Sequence, residues 1–168
     1  MSSDKRKLNL RQDWPATPYL VIILSGIAVS IYDLVFFQGL NIQLSFEKIS
    51  GVFMIIIGGT LRAVSRLTLR RAGLGIVNSV RLRVVEKQRL VKEGVYGHIR
   101  HPLYLGEILR NTGFALAASS LYGQILMILG NSMLLFRIRI EEKMLVEEFE
   151  EEYIEYMLRT KKIIPYIY

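Results

Sequence analysis

The chain has 168 residues, 51% of them hydrophobic, and a formal net charge of +7; this length fits one domain. It has no cysteine, which excludes disulfides, cysteine-ligated zinc and a cysteine nucleophile. Its basic residues flank long apolar runs, a pattern that suits anionic headgroups and membrane orientation and argues against a nucleic-acid partner.

Residues 1–17 are polar and basic, with Lys5, Arg6, Lys7 and Arg11 before Trp14 and Pro15. No small-residue cleavage pattern follows, so a removed signal peptide is not expected. Trp14 and Tyr19 suit the headgroup zone. Residues 18–40 form an apolar run long enough for one spanning helix. Asp33 is its single charge and lies near the far end, which predicts an interfacial position. A polar connection over 41–48 leads to a second span from about Ile49 to Leu69. Gly51, Gly58 and Gly59 predict a small-residue face for close helix packing. Arg62 and Arg66 lie near the end of that span, where long basic side chains reach the surface.

Residues 70–101 form a basic middle, with Arg70, Arg71, Arg81, Arg83, Lys87, Arg89, Lys92 and Arg100. Gly73 and Gly75 break the preceding helix, and a connector of this length points to function. Tyr96, His98, Arg100, His101 and Tyr104 then crowd together before and after Pro102. Proline belongs in a first helical turn and pushes its predecessor out of helical geometry. The reading is a loop, a sharp helix start at Pro102 and a helix entering the membrane. Residues 102–118 and 121–140 predict a helical hairpin turned at Ser119-Ser120 and Tyr122-Gly123, its first arm short for a full crossing. Glu107, Arg110 and Asn111 share helical spacing and are expected to satisfy one another. Residues 141–160 predict an acidic amphipathic helix on the membrane surface, lying against the basic middle.

Four basic residues precede the first span, ten fall between Arg62 and Arg100, and six follow from Arg137 onward. The positive-inside rule therefore puts both termini and the basic middle on the cytoplasmic side. The expected fold is all-α, a polytopic transmembrane bundle of about four to five helices.

Arg100-His101-Pro102-Leu103-Tyr104-Leu105-Gly106 resembles the R-H-P-x-Y-x-G signature of the isoprenylcysteine carboxyl methyltransferase family. That family sits in a wider group of integral-membrane methyltransferases that includes the phospholipid N-methyltransferases. The resemblance extends upstream through Gln88–Tyr96. Downstream it runs through Arg139-Ile140-Glu141-Glu142 and Phe149–Tyr156 to Ile164-Pro165, roughly the C-terminal half. Glu150 departs from it, standing where members usually have glycine. The resemblance implies one domain, 1–168, with N-terminal spans over 1–69 and a cofactor-binding, catalytic half over 70–168.

It implies S-adenosylmethionine as methyl donor, held by Gln88, Leu90, Val91, Gly94, Tyr96, His101, Tyr104 and Leu105. The residue types agree: glycines admit a ligand close to the backbone, tyrosines face a cation or cover a base, and a helix start attracts a carboxylate. Arg100, Glu141 and Glu142 are the implied catalytic residues. A carboxylate acceptor is already ionised at neutral pH and needs only a cation to orient it, which suits Arg100 held by Glu141 or Glu142. An amine acceptor would need a base, for which the glutamates are the candidates. On this reading Arg100→Ala abolishes turnover with little loss of folding. The implied substrate is a lipophilic molecule among membrane lipids, most simply a prenylated cysteine. The alternatives are a phospholipid amine methyltransferase, an NADPH-dependent sterol-type reductase and a lipid-binding protein without activity. His98 and His101 have a metal-like spacing, but Pro102 breaks the helix that would place them on one face.

Overall fold

The computed structural model describes residues 13–37, 43–73 and 89–164. Within them the chain is helical, apart from one isolated parallel bridge between Ile99 and Lys161. Helix α1, Ala16–Tyr32, begins after the buried Pro15 and widens into a π-helical turn over Asp33–Phe37. Helix α2 is Phe46–Arg71. Ser45 caps it by accepting a hydrogen bond from the Lys48 N–H at 3.3 Å. Glu47 in its first turn and Arg70 and Arg71 in its last match the helix dipole. It ends before Gly73, which has φ 83°, as the sequence suggested.

Helix α3, Pro102–Ala117, starts at the proline as expected, and His101 before it has φ −122° and ψ 54°. Ser119, at φ 48°, and Ser120 make the tight turn into α4, Leu121–Arg159. The Ser120 hydroxyl accepts from the Gly123 N–H at 2.9 Å and donates to Asp33 at 2.5 Å. Asp33 is thus satisfied at the hairpin end, where its place in the first span put it.

Among the described residues three segments, Ala16–Phe37, Phe46–Arg71 and Leu121–Arg159, are long and apolar enough to cross a membrane. Helix α3, with 16 residues, is the short arm of the hairpin, about 24 Å against a hydrocarbon core of about 30 Å. Residues such as Leu20, Val21, Leu24, Phe53, Ile56 and Ile128 point outward, as lipid-facing side chains do. The inner core is Tyr19, Ile23, Ala115, Met127 and Leu134.

Helices α2 and α3 run antiparallel with their backbones almost in contact. A Cβ on Gly58 would lie 2.5 Å from the Gly106 carbonyl oxygen, and one on Gly113 would lie 2.6 Å from that of Gly51. The small-residue face is therefore Gly51 and Gly58 against Gly113 and Gly106. Gly59, expected in it, faces open space. It is one residue from Gly58, about 100° around the helix.

Tyr19 corrects a second expectation. Its side chain turns into the bundle rather than outward to lipid, and its hydroxyl donates to Glu107 at 2.8 Å. Glu107 also pairs with Arg62 of α2 and with Arg110. Asn111 does not complete that pairing as its spacing suggested. It donates to the Tyr19 hydroxyl and to Asn131, both at 3.1 Å. One polar network thus joins the four described helices, and it leaves the starts of α1 and α3, the end of α2 and the middle of α4 at the same end of the bundle.

The acidic segment 141–160 is not a separate surface helix. Its first part continues α4 directly, because no glycine or proline interrupts Asn131–Phe149. The break comes at Glu150, with φ 46° and ψ −122°. This is a conformation that glycine adopts freely and a side chain does not. Glu150→Gly is expected to raise the thermal midpoint, because about 1–3 kcal/mol of strain is relieved. Glu150→Ala keeps the Cβ and is expected to bring no such gain. Thermal unfolding in detergent compares the two directly.

Candidate active site

The backbone brings residues 98–101 beside 161–162. The Arg100 N–H donates to the Lys161 carbonyl at 2.8 Å, His101 to Lys162 at 3.1 Å, and Lys161 back to His98 at 3.1 Å. These bonds satisfy a non-helical stretch that Pro102 keeps out of α3. They also turn the Arg100 and His101 side chains toward α4, just past its apolar part. That part ends at Phe136, and Arg137, Arg139, Glu141 and Glu142 follow.

Glu142 is the hub. Its Oε1 accepts from Arg100 Nε at 2.9 Å and lies 3.4 Å from His101 Nε2, while its Oε2 lies 2.9 Å from Lys162 Nζ. Burial alone would raise this carboxyl, but His101, Lys162 and Arg100 together hold it at about 2. The ionised form contributes stability above the ordinary value of 4.5 and loses it as pH falls through about 2. The stability gap between the native chain and Glu142→Gln is therefore expected to be full at neutral pH and to close between those two values. Unfolding curves of both proteins against pH measure it.

Arg100 does more than pair with Glu142. Its Nη1 donates to the carbonyls of Met157 at 3.2 Å and Thr160 at 2.6 Å. A permanent cation on the last carbonyls of α4 matches that end of the helix dipole. The Nη2 group makes no hydrogen bond to the described residues. Glu141, next in sequence, points elsewhere. Its Oε2 is 3.9 Å from His101 Nδ1 and is buried with no hydrogen-bond partner. The Tyr153 hydroxyl is likewise buried with no hydrogen-bond partner among the described residues, while His101 Nε2 has only the Glu142 oxygen at 3.4 Å. Two open polar atoms in one cluster mark a place for a polar ligand.

Aromatic rings enclose the cluster. Tyr104 lies edge-on to His101 at 5.6 Å, and Tyr153 packs at 5.8 Å from Tyr156. The Tyr156 hydroxyl donates to the Tyr96 carbonyl at 2.6 Å. Burial, then the charge of Glu141, pushes the Tyr96 phenol well up. Burial pushes Tyr156 up to about 12, and Tyr153 rises further from burial and the charges of Glu142 and Glu141. All three stay protonated at neutral pH and act as donors or apolar walls, not bases.

Of the residues named from the sequence, Arg100, His101, Tyr104, Tyr96, Glu141 and Glu142 come together. Leu90 and Val91 are half-buried in the segment before the 3₁₀ turn Gly94–Gly97. Gly94, at φ 59°, opens that turn against Thr68 of α2. Leu105 is half-buried on α3, and Gln88 lies outside the described residues. Sequence reasoning missed Lys162, Tyr153 and Tyr156 as members of the cluster. The two tyrosines showed only as part of an apolar helical face. The expected contact of the acidic segment with the basic middle appears at Lys92 and Glu152, 2.8 Å apart. Asp13 grips Arg137 with two hydrogen bonds of 2.9 and 2.8 Å, and Arg137 lies over the Tyr104 ring at 5.9 Å.

Comparison with known proteins places this arrangement. The phospholipid methyltransferase family matches residues 46–152. Protein-S-isoprenylcysteine O-methyltransferase B of Arabidopsis thaliana is 30% identical over 150 residues, covering 89% of this chain and 74% of the relative. The Saccharomyces cerevisiae protein-S-isoprenylcysteine O-methyltransferase is 33% identical over 127 residues, 70% of this chain and 48% of that protein. A solved eukaryotic intramembrane Ras methyltransferase, isoprenylcysteine carboxyl methyltransferase, superposes with a TM-score of 0.68 at 25% identity, covering 89% of this chain and 52% of that one. The chain thus spans about half the length of the yeast relative and of the solved protein. With the R-H-P start of α3 and the paired glutamates of α4 in one cluster, the chain belongs to the isoprenylcysteine carboxyl methyltransferase family of integral-membrane methyltransferases.

Proposed function

We propose that the chain transfers a methyl group from S-adenosylmethionine to the carboxylate of a prenylated cysteine, at a site facing the cytoplasm. The observation that carries this reading is Arg100. It is a buried guanidinium fixed by Glu142 and two carbonyls, with Nη2 left for a further acceptor atom. A carboxylate is the natural complement of that group. The buried oxygens of Glu141 and Tyr153, without a hydrogen-bond partner among the described residues, fit a polar, cationic donor beside it.

When bound, the donor supplies a methyl carbon on a sulfonium, open to in-line attack by an oxygen nucleophile. The donor is held by Tyr96, His101, Tyr104 and the segment of Leu90, Val91 and Gly94, with Leu105 and Gln88 completing the set by resemblance. The protein's part is positional. Arg100 orients the acceptor carboxylate, Glu142 keeps Arg100 in place, and the tyrosines keep water out. No proton has to be removed.

Phospholipid amine methylation is the second reading, favoured by the matched family. It requires a base. Glu142 is tied to Arg100, Lys162 and His101 and held low, and the phenols are pushed up, so Glu141 is the remaining candidate. Glu141→Gln separates the two. Carboxyl methylation of a farnesyl-cysteine analogue survives it, whereas amine methylation does not.

The direct test is thermal stability of the detergent-purified protein with S-adenosylhomocysteine, with NADPH and without ligand. Stabilisation by S-adenosylhomocysteine alone is expected. Stabilisation by NADPH alone would overturn the reading.

A further inference from the structure

The arginines around Glu107 outnumber the acid they surround. Arg62 of α2 and Arg110 of α3 both pair with Glu107. Arg66, one helical turn beyond Arg62, lies within electrostatic range of it, as Arg110 does. The Arg66 Nε is buried with no hydrogen-bond partner. Among the described residues, three guanidiniums against one carboxylate leave a surplus of two positive charges. Asp13, the acid at this end of α1, is engaged by Arg137. Tyr19 and Asn111 contribute no charge.

Uncompensated guanidiniums at the edge of the hydrocarbon are costly, and they draw in a counter-anion. The Arg62 side chain is 20% exposed and that of Arg110 42%, so the group opens at the surface of the α2–α3 seam. The adjoining face of α2, on the side of Arg62 and Arg66, exposes Val52 and Ile56. Positive charge at the headgroup level beside an apolar wall is complementary to a molecule with an anionic head and acyl chains.

We propose that Arg62, Arg66 and Arg110 bind the phosphodiester of an anionic glycerophospholipid in the α2–α3 seam, its chains lying along the exposed face of α2. The site is separate from the Arg100–Glu142 cluster and does not depend on the substrate. Arg66 Nε gives the phosphate a donor that none of the described residues uses. Glu107 ties Arg62 and Arg110 together across the seam. A zwitterionic headgroup brings its own cation and fits less well, and inorganic phosphate lacks the chains.

The experiment is native mass spectrometry of the full chain released from detergent containing phosphatidylglycerol, phosphatidylcholine or inorganic phosphate. Phosphatidylglycerol is expected to be retained in preference to the other two. Arg66→Gln and Arg110→Gln are each expected to lower its retention about fivefold. Arg110→Lys keeps the charge and is expected to retain most of it. Arg159→Gln, at an exposed position away from the seam, is expected to change nothing. Equal retention of phosphatidylglycerol and phosphatidylcholine by the native chain would overturn the site without recourse to any variant. So would an equal loss on Arg159→Gln, or displacement of the lipid by phosphate.

Discussion

Arg100→Ala is expected to lose turnover and a large part of the fold's stability together. The sequence alone suggested a purely catalytic arginine whose removal leaves folding intact. The structure gives it three hydrogen bonds, to Glu142, Met157 and Thr160, with a side chain only 7% exposed. Truncating one partner of a buried ion pair typically costs about 3–5 kcal/mol. Glu142 keeps Lys162 and His101, so the lower end of that range applies here. The carbonyls of Met157 and Thr160 lose their donor as well. Arg100→Lys is the informative companion. It keeps the charge opposite Glu142 and recovers part of the stability, but a single ammonium cannot serve Glu142, two carbonyls and a substrate at once. Turnover is expected to stay lost. Unfolding midpoints and methyl transfer to a farnesyl-cysteine analogue measure the two effects separately. An alanine variant with the native midpoint would refute the clamp, and one with native turnover would refute the catalytic role.

The second large effect is expected at Gly58. A Cβ there meets the Gly106 carbonyl oxygen at 2.5 Å and the Arg110 nitrogen at 2.8 Å. Both are backbone atoms, so no side-chain rotation makes room. Gly58→Val must push α2 and α3 apart along the seam, at a cost of about 3 kcal/mol or more. The displacement also pulls Arg62 from Glu107 and opens the network that joins the four helices. The variant is expected to aggregate on size-exclusion chromatography in detergent. Gly59→Ala supplies the contrast. Nothing lies within 4 Å of a Cβ at Gly59, and alanine favours the helix by about 1 kcal/mol. That variant is expected to be at least as stable as the native chain, although the two glycines are neighbours in sequence.

What the sequence made legible was local. Hydrophobic run lengths located α1 and α2, and Pro102 located the start of α3, because these signals act within a few residues. The turn at Ser119-Ser120 was legible for the same reason. The continuity of α4 was not, since charge begins at Arg137 while the helix runs on. Helix propensity does not stop where hydrophobicity does. The partners of Glu107 were half visible. Arg110 is three residues away, but Tyr19 and Asn131 reach it or Asn111 only through the folded bundle. The pairing of Arg100 with Glu142 spans 42 residues. Only the resemblance suggested it, and the resemblance gave no hint of Lys162 or of the α4 carbonyls.

The bridge between Ile99 and Lys161 has a bearing on biogenesis. Lys161 and Lys162 follow the four described helices along the chain, yet they hold Arg100 and His101 in position. The helices can enter the bilayer and pair through their glycines before those residues exist. The cluster around Glu142 cannot close until they emerge. Membrane insertion and acquisition of activity are therefore separate events in the life of each molecule. A nascent chain halted before Lys161 would be an inserted, packed and inactive bundle, unable to consume its methyl donor during synthesis.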